Sequence, residues 1–187
     1  MNSLSLWTKN FLQQQNLNFY FQDKASSSND LAKKKAFQNK TNPSVFLVKT
    51  QTKGRGYNNK KWENSDLMIS FLWQKTKGTI SSKISKDFAK DVEQALKKTW
   101  PELNIFFKAP NDLYLNEKKL AGLLIEILTQ GFQTALIVGL GLNVFSTPKN
   151  LRASCLKEQL EKITHPSWNF FLKTLIQMWS QRVQTNF

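Results

Sequence analysis

Four short polar stretches interrupt an otherwise apolar sequence, and together their side chains could do chemistry: Ser27-Ser28-Asn29, Lys49 to Trp62, Lys108 to Lys119, and Gly139 to Asn143. The second stretch contains Gly54-Arg55-Gly56. Glycines let a backbone approach a ligand closely, and an arginine offers a planar fork of donors to a carboxylate or phosphate. The same tripeptide also makes an ordinary turn in a basic loop, and it lacks the Gly-Lys-Ser/Thr ending of a phosphate loop. The third stretch sets Pro110-Asn111-Asp112 directly before a strand, with Lys119 following across a short hairpin. A carboxylate and an ammonium placed in this way have two readings. They form a structural ion pair on adjacent strands, or the lysine neutralises a developing phosphate charge while the carboxylate orients or deprotonates an amine nucleophile. His165 has no partner pattern for a base and Cys155 none for a nucleophile, and no Cys/His cluster points to a metal held by protein ligands.

The elements between these stretches must bring them together. Leu4, Trp7, Phe11 and Leu12 recur at helical spacing within Leu4 to Gln15, and the aromatic run Phe19-Tyr20-Phe21 suits a strand. Ser26 to Asn29 supplies a polar turn and cap, so a helix is expected from about Asp30 until Thr41-Asn42-Pro43 breaks it. Val45 to Lys49 reads as a buried strand and Thr50 to Asn64 as a long functional loop. Leu67 to Trp73 is again strand-like. Over Ser82 to Trp100 the residues Ile84, Phe88, Val92, Leu96 and Trp100 recur every fourth position, with lysines mostly turned away, as in an amphipathic helix. Ile105 to Phe107, Leu113 to Leu115, Leu120 to Leu128 and Gln133 to Leu140 are expected strands, with turns at Asn116 to Lys118 and at Gln130-Gly131. Helices are expected over Cys155 to Ile163 and Ser167 to Gln184, with His165 in a loop between them. Sequential hairpins with segregated helices favour an α+β fold, a mixed sheet packed against helices, over a doubly wound parallel sheet.

At 187 residues and 40% hydrophobic content, one domain with a sizeable core is expected over residues 1–187. No apolar run reaches the length of a membrane span, and the amino-terminal segment lacks the pattern of a secretory signal, so no membrane partner is expected. A single cysteine cannot form an internal disulfide, which fits a cytoplasmic location. The net charge of +14 would favour anionic partners, yet no helix-turn-helix, zinc-finger or RNA-binding signature organises it, and no DNA partner is expected.

The segments KTQTKGRGYNNKKW, KAPNDLYLNEKKLAGLLIE and VGLGLNV, with Ser27-Ser28-Asn29 before them and LRASCLKEQ after, resemble in order and spacing the catalytic domain of the biotin protein ligase family. The resemblance runs from about Phe19 to the end. It implies a class II aminoacyl-tRNA synthetase/biotin ligase-like fold with helices on one face of a mixed sheet. It also implies an ATP-dependent biotin–carrier protein ligase that forms biotinyl-5'-AMP and passes biotin to a lysine of a biotin carboxyl carrier protein, with Mg2+ accompanying ATP near Asn111. Carried over residue by residue, Ser27, Ser28 and Gln51 would bind the ureido head, with Asn29 and Tyr57 also among the ligand-binding residues. Gly54, Gly56, Gly122 and Gly139 would let the backbone close on the ligand, and Trp62 would form an apolar wall. Arg55 and Lys119 would hold the biotin carboxylate and the α-phosphate, and with Asp112 they form the catalytic set. Asn111 and Asp112 would serve the nucleotide-metal and acceptor-lysine region, and Asn143 would also bind ligand.

Two departures stand out. Tyr57 takes the place of the second arginine in the family's Gly-Arg-Gly-Arg, and Ala109 replaces the tryptophan of its Lys-Trp-Pro-Asn-Asp. Tyr57 removes a permanent cation from the loop that covers the adenylate in the family. No amino-terminal DNA-binding head and no carboxy-terminal SH3-like barrel are expected, so repressor function is not. Members of the family often dimerise through sheet edges, while the residues themselves leave a homodimer open. Two other readings stay beside the ligase: a lipoate or octanoyl ligase of the same superfamily, and a protein that retains biotin or its adenylate with weak transfer.

Overall fold

Side chains alternate across a strand, so each strand contributes to two faces of a sheet, and in this protein the two faces have different tasks. In the computed structural model residues 3–38, 43–76, 80–81, 83–148 and 152–186 are described. Seven strands form one mixed sheet: β1 (Asn18–Ala25), β2 (Ser44–Gln51), β3 (Leu67–Thr76), β4 (Ile105–Lys108), β5 (Asp112–Leu115), β6 (Lys118–Gln130) and β7 (Gln133–Leu142), in the order β1-β2-β3-β7-β6-β5-β4. β1 and β2 run parallel and are joined by the crossover helix α2 (Ser28–Lys35), while the other neighbours are antiparallel. The remaining helices are α1 (Ser3–Gln13), α3 (Ile84–Thr99) and α4 (His165–Asn186).

One face is a continuous apolar layer. Val45, Leu47, Ile69, Phe71, Trp73, Leu123, Val138 and Leu140 pack there against Phe88, Val92 and Leu96 of α3 and Trp168, Phe171, Leu175 and Trp179 of α4. Each such side chain withdrawn from water contributes about 1.5–3 kcal/mol. Trp179 meets Phe71 and Phe88 edge-on at 5.0 and 5.3 Å, and its indole N–H donates to the Phe88 carbonyl at 3.3 Å, so the largest ring in the layer has no stranded polar atom. Arg182 of α4 clasps the buried Asp91 of α3, with Nη2 2.6 Å from Oδ1.

The opposite face is apolar for only half its width. Phe46, Leu72, Ala135 and Ile137 lie beneath Ala32 of α2 and Ala36, the residue that caps its C-terminus. Further along the same row of β7, Ala135 and Ile137 give way to Gly139 and Gly141. Their neighbours on that face are Gly122 and Glu126 of β6 and Ser70 of β3, by register with Gly141, Ile137 and Gly139 respectively. Bulk is missing where α2 ends, and a cleft takes its place.

The helical layer formed by α1, α3 and α4 thus lies on one face as expected, with the short α2 added on the other. Two expectations need correction. The segment Cys155 to Ile163 is a single 3-10 turn at Leu156–Glu158 rather than an α-helix, since two of its amides bond sideways to the chain just past β7, Leu156 N to Asn143 O (3.2 Å) and Lys157 N to Val144 O (2.9 Å). His165 is the first residue of α4 rather than part of a loop, with its ring 5.6 Å from that of Trp7. Thr41 and Asn42, read as helix breakers, and Ser82, read as a helix start, lie outside the described residues.

Candidate functional site

A cleft of about 400 Å³ opens over β7, β6 and β5 on the half-bare face. Its floor is glycine because nothing larger fits. A Cβ on Gly141 would lie 2.3 Å from the Trp62 ring, one on Gly122 2.8 Å from it, and one on Gly139 2.2 Å from the Asn29 carbonyl oxygen. Trp62, carried by the loop after β2, therefore lies against two bare strands and walls the cleft. Its indole N–H is satisfied by Ser65 Oγ at 3.3 Å.

At the α2 end the polar groups form one chain of contacts. Ser27 caps the helix by accepting from Asp30 N at 3.0 Å. Gln51 Oε1 accepts from Ser28 N at 2.8 Å, and the Ser28 hydroxyl is 2.8 Å from that of Ser70. Ser70 donates to Asn29 Oδ1 at 2.5 Å, and Asn29 Nδ2 donates to the Leu124 carbonyl (3.2 Å) and to Glu126 Oε2 (2.9 Å). Buried amides and hydroxyls in such a chain are held in one orientation, because turning any of them strands a donor or acceptor.

Arg55 joins this end to the loop. Its Nη2 lies 2.7 Å from Asp30 Oδ1 and 3.5 Å from Glu126 Oε1, and Lys33 Nζ lies 2.6 Å from the same Glu126 oxygen. The loop closes on itself nearby, Trp62 N donating to Gly54 O at 3.0 Å and Gly56 N to Lys60 O at 2.7 Å. Hydrogen bonding to Asp30 raises the Arg55 guanidinium pKa against the opposing effect of burial. Burial works against the Asp30 carboxylate, but hydrogen bonds from Arg55, Ser26 and Ser27 outweigh it and hold the carboxyl below its ordinary value. A depressed carboxyl pKa contributes stability that is fully present above the unfolded value and is lost as pH falls through the folded one. Parent and Asp30→Asn proteins are therefore expected to differ most in melting temperature near neutral pH and to converge below about pH 4. A gap that stays constant from pH 7 to pH 3 would count against the ionic tie.

The other end carries the second charged pair. Lys119 Nζ lies 2.8 Å from Asp112 Oδ1 and 5.0 Å from the centre of the Trp62 ring, so the ammonium sits between a carboxylate and an aromatic wall. Asn111 is pinned in both directions to β6, its carbonyl accepting from Leu123 N and its Nδ2 donating to Leu123 O, each at 2.8 Å. Beyond β7 the chain folds back along β6. Asn143 N donates to Leu120 O (3.1 Å), Ser154 N to Lys119 O (2.9 Å), and Asn143 Nδ2 to Ser154 O (3.1 Å). The buried Asn143 Oδ1 has no protein partner and belongs to a residue lining the cleft. Asp66 fixes this return by accepting from the amides of Val144, Phe145 and Ser146 at 2.8 to 2.9 Å.

All the residues singled out in the sequence line this one cleft except Gly54, which packs behind the wall against the Trp62 carbonyl. Four partners were not singled out: Asp30, Ser70, Glu126 and Gly141. Glu126 had a signal, being a charge inside the apolar run Leu123 to Leu128 at the same parity as Gly122, and Gly141 repeats the parity of Gly139. Asp30 and Ser70 carry no comparable mark.

Residues 19–143 match the biotin/lipoate A/B protein ligase family. The chain belongs to that family. It is 30% identical to biotin–protein ligase 2 of Arabidopsis thaliana over 131 residues, 66% of this chain and 39% of the relative. The biotin protein ligase of Leishmania major in complex with biotinyl-5-AMP superposes with a TM-score of 0.69 at 19% identity, covering 88% of this chain and 75% of the other. That of Aquifex aeolicus in complex with biotin and ATP gives 0.65 at 24%, covering 88% and 71%. The fold is therefore that of biotin protein ligases, an α+β arrangement with a mixed sheet. The chain spans well under half the length of the curated relatives it matches. No described helix is long and apolar enough to cross a membrane.

Proposed function

We propose that this member of the biotin/lipoate ligase family activates biotin with ATP and transfers it to a lysine of a carrier protein. The observation that carries this reading is the glycine-floored cleft with a satisfied amide and hydroxyl network at one end and the Lys119–Asp112 pair at the other. A ureido ring needs paired donors and acceptors in a dry pocket, which Ser28, Asn29 and Gln51 would supply, and a thiophane ring with its valeryl chain needs an apolar wall such as Trp62. In the first step a biotin carboxylate oxygen attacks the α-phosphorus, the bond to the β-phosphate breaks, and pyrophosphate leaves. Lys119 offsets the charge that gathers on the α-phosphate. In the second step a deprotonated lysine amine of the carrier adds to the adenylate carbonyl and AMP departs with the bridging oxygen. Asp112, paired with Lys119 at 2.8 Å, would orient the amine or accept its proton.

Among the described residues no group of three or more His, Cys, Asp or Glu stands together to hold a metal. Mg2+ would accompany ATP, with the side-chain oxygen of Asn111 and the Asp112 carboxylate as the protein acceptors that could meet it; when bound it supplies charge neutralisation on the phosphates. The test is a mixture of protein, ATP, magnesium, biotin and a biotin carboxyl carrier domain, followed by a streptavidin blot. Label that needs every component is expected. A mass shift on a lipoyl carrier domain when lipoate replaces biotin, or tight biotin binding without turnover, would replace this reading with one of the other two.

A further inference from the structure

The Arg55 tie stands at the α2 end of the cleft and Trp62 walls it, while the Lys119–Asp112 pair lies on the β5–β4 side. That side of the same face presents an aromatic and cationic surface. The Phe106 and Tyr114 rings stack at 5.8 Å, Phe106 is 41% exposed, and Lys108 Nζ stands 4.5 Å over the Tyr114 ring. Register sets Lys108 opposite Asp112, which places this surface beside the Lys119–Asp112 pair, and Tyr114 also lines the cleft. Exposed Lys60, Lys61 and Arg152 stand at the mouth, in a chain with a net charge of +14. β4 ends the sheet but is not an open template for strand addition, since Ile105 N is bonded to Leu103 O and Phe107 N to Glu93 Oε2. Recognition here runs through side chains.

We propose that Phe106, Lys108 and Tyr114 form the docking surface for the acceptor, an acidic carrier domain that presents an apolar side chain and carboxylates beside its target lysine. The apolar contact falls on the Phe106–Tyr114 pair and the carboxylates meet Lys108 and the cationic mouth, which delivers the lysine amine to Asp112. This rests on the proposed ligase reading and names the partner chemistry of the same site.

Half-reactions separate the two. Biotin-dependent exchange of labelled pyrophosphate into ATP needs no acceptor, whereas transfer does. Phe106→Ser and Lys108→Glu are expected to leave exchange within about twofold and to lower kcat/KM for an acidic biotin carboxyl carrier domain by about tenfold or more, an effect that shrinks as salt rises. The same carrier with the carboxylates flanking its lysine neutralised should be poor with the parent enzyme and little affected by Lys108→Glu. Unchanged transfer by both folded variants overturns the docking surface. So does a loss of exchange equal to the loss of transfer. If Phe106→Ser does not fold, Lys108→Glu decides alone. A parent protein with no exchange activity refutes the ligase reading instead.

Discussion

Lys119→Ala is expected to reduce adenylate formation by about 10²–10³-fold while moving the melting temperature little, because on the proposed reading its ammonium would meet charge that develops in the reaction rather than the core. The side chain is a third exposed and its one described ionic partner is Asp112. Truncation therefore leaves a carboxylate that the cleft can hydrate, with no buried cavity. Pyrophosphate exchange measures the loss, and direct binding of biotin to the folded variant should be less affected than exchange. An exchange rate equal to the parent's would return Lys119–Asp112 to a structural ion pair between β5 and β6. Lys119→Arg adds a useful control: it keeps the charge but widens the donor head beside Trp62, so partial activity is expected where alanine leaves almost none.

Gly139→Ala should have the second large effect, on binding rather than on chemistry. The new methyl would stand 2.2 Å from Asn29 Oδ1, closer than real contacts allow, and 3.0 Å from its Cγ, tighter than most. Asn29 cannot swing aside cheaply. Its carbonyl accepts from the buried Ser70 and its amide donates to Leu124 O and Glu126, so displacement breaks hydrogen bonds at both ends of the side chain. Those lost bonds cost native stability, and displacing Asn29 and the Ser28 hydroxyl, two ligand contacts on the proposed reading at about 0.5–1.5 kcal/mol each, should weaken biotin binding by about tenfold to 100-fold. Calorimetry on the folded variant reads this directly. Biotin affinity within a factor of two of the parent's would show that the network is not where the ligand's polar head is held.

Element by element, the sheet could be read from the sequence because each strand carries its own period-two pattern or its own apolar run, and α3 because its apolar residues recur every fourth position. The region after β7 could not. Cys155 to Ile163 has helix-like spacing, but its backbone groups are bonded by the end of the sheet, and no local pattern records a partner that far away. The site shows the same division. Gly122, Gly139, Trp62, Asp112 and Lys119 stand in segments with a marked motif and could be placed in one cleft. Glu126 and Asp30, which hold Arg55, could not be assigned to it, because a guanidinium chooses among carboxylates by geometry and not by sequence distance. Arg55 itself was expected to face ligand anions. The structure engages its Nη2 with the carboxylates of Asp30 and Glu126, so a ligand anion meeting that nitrogen would share it with them.

The polar chain at the α2 end draws its members from positions 28, 29, 51, 70 and 126, and the charged pair with its backing adds 112, 119, 143 and 154. No short stretch of the chain contains a partial copy of the pocket. Pairings that distant form only when most of the sheet has assembled, so the unfolded chain has no affinity to offer a ligand. Occupancy and folding are then coupled by mass action: saturating biotin at 100 times its dissociation constant would add about 2.7 kcal/mol to the native state. A substitution far from the cleft that lowers the native population would imitate a binding defect at low ligand concentration and lose that appearance when ligand is raised.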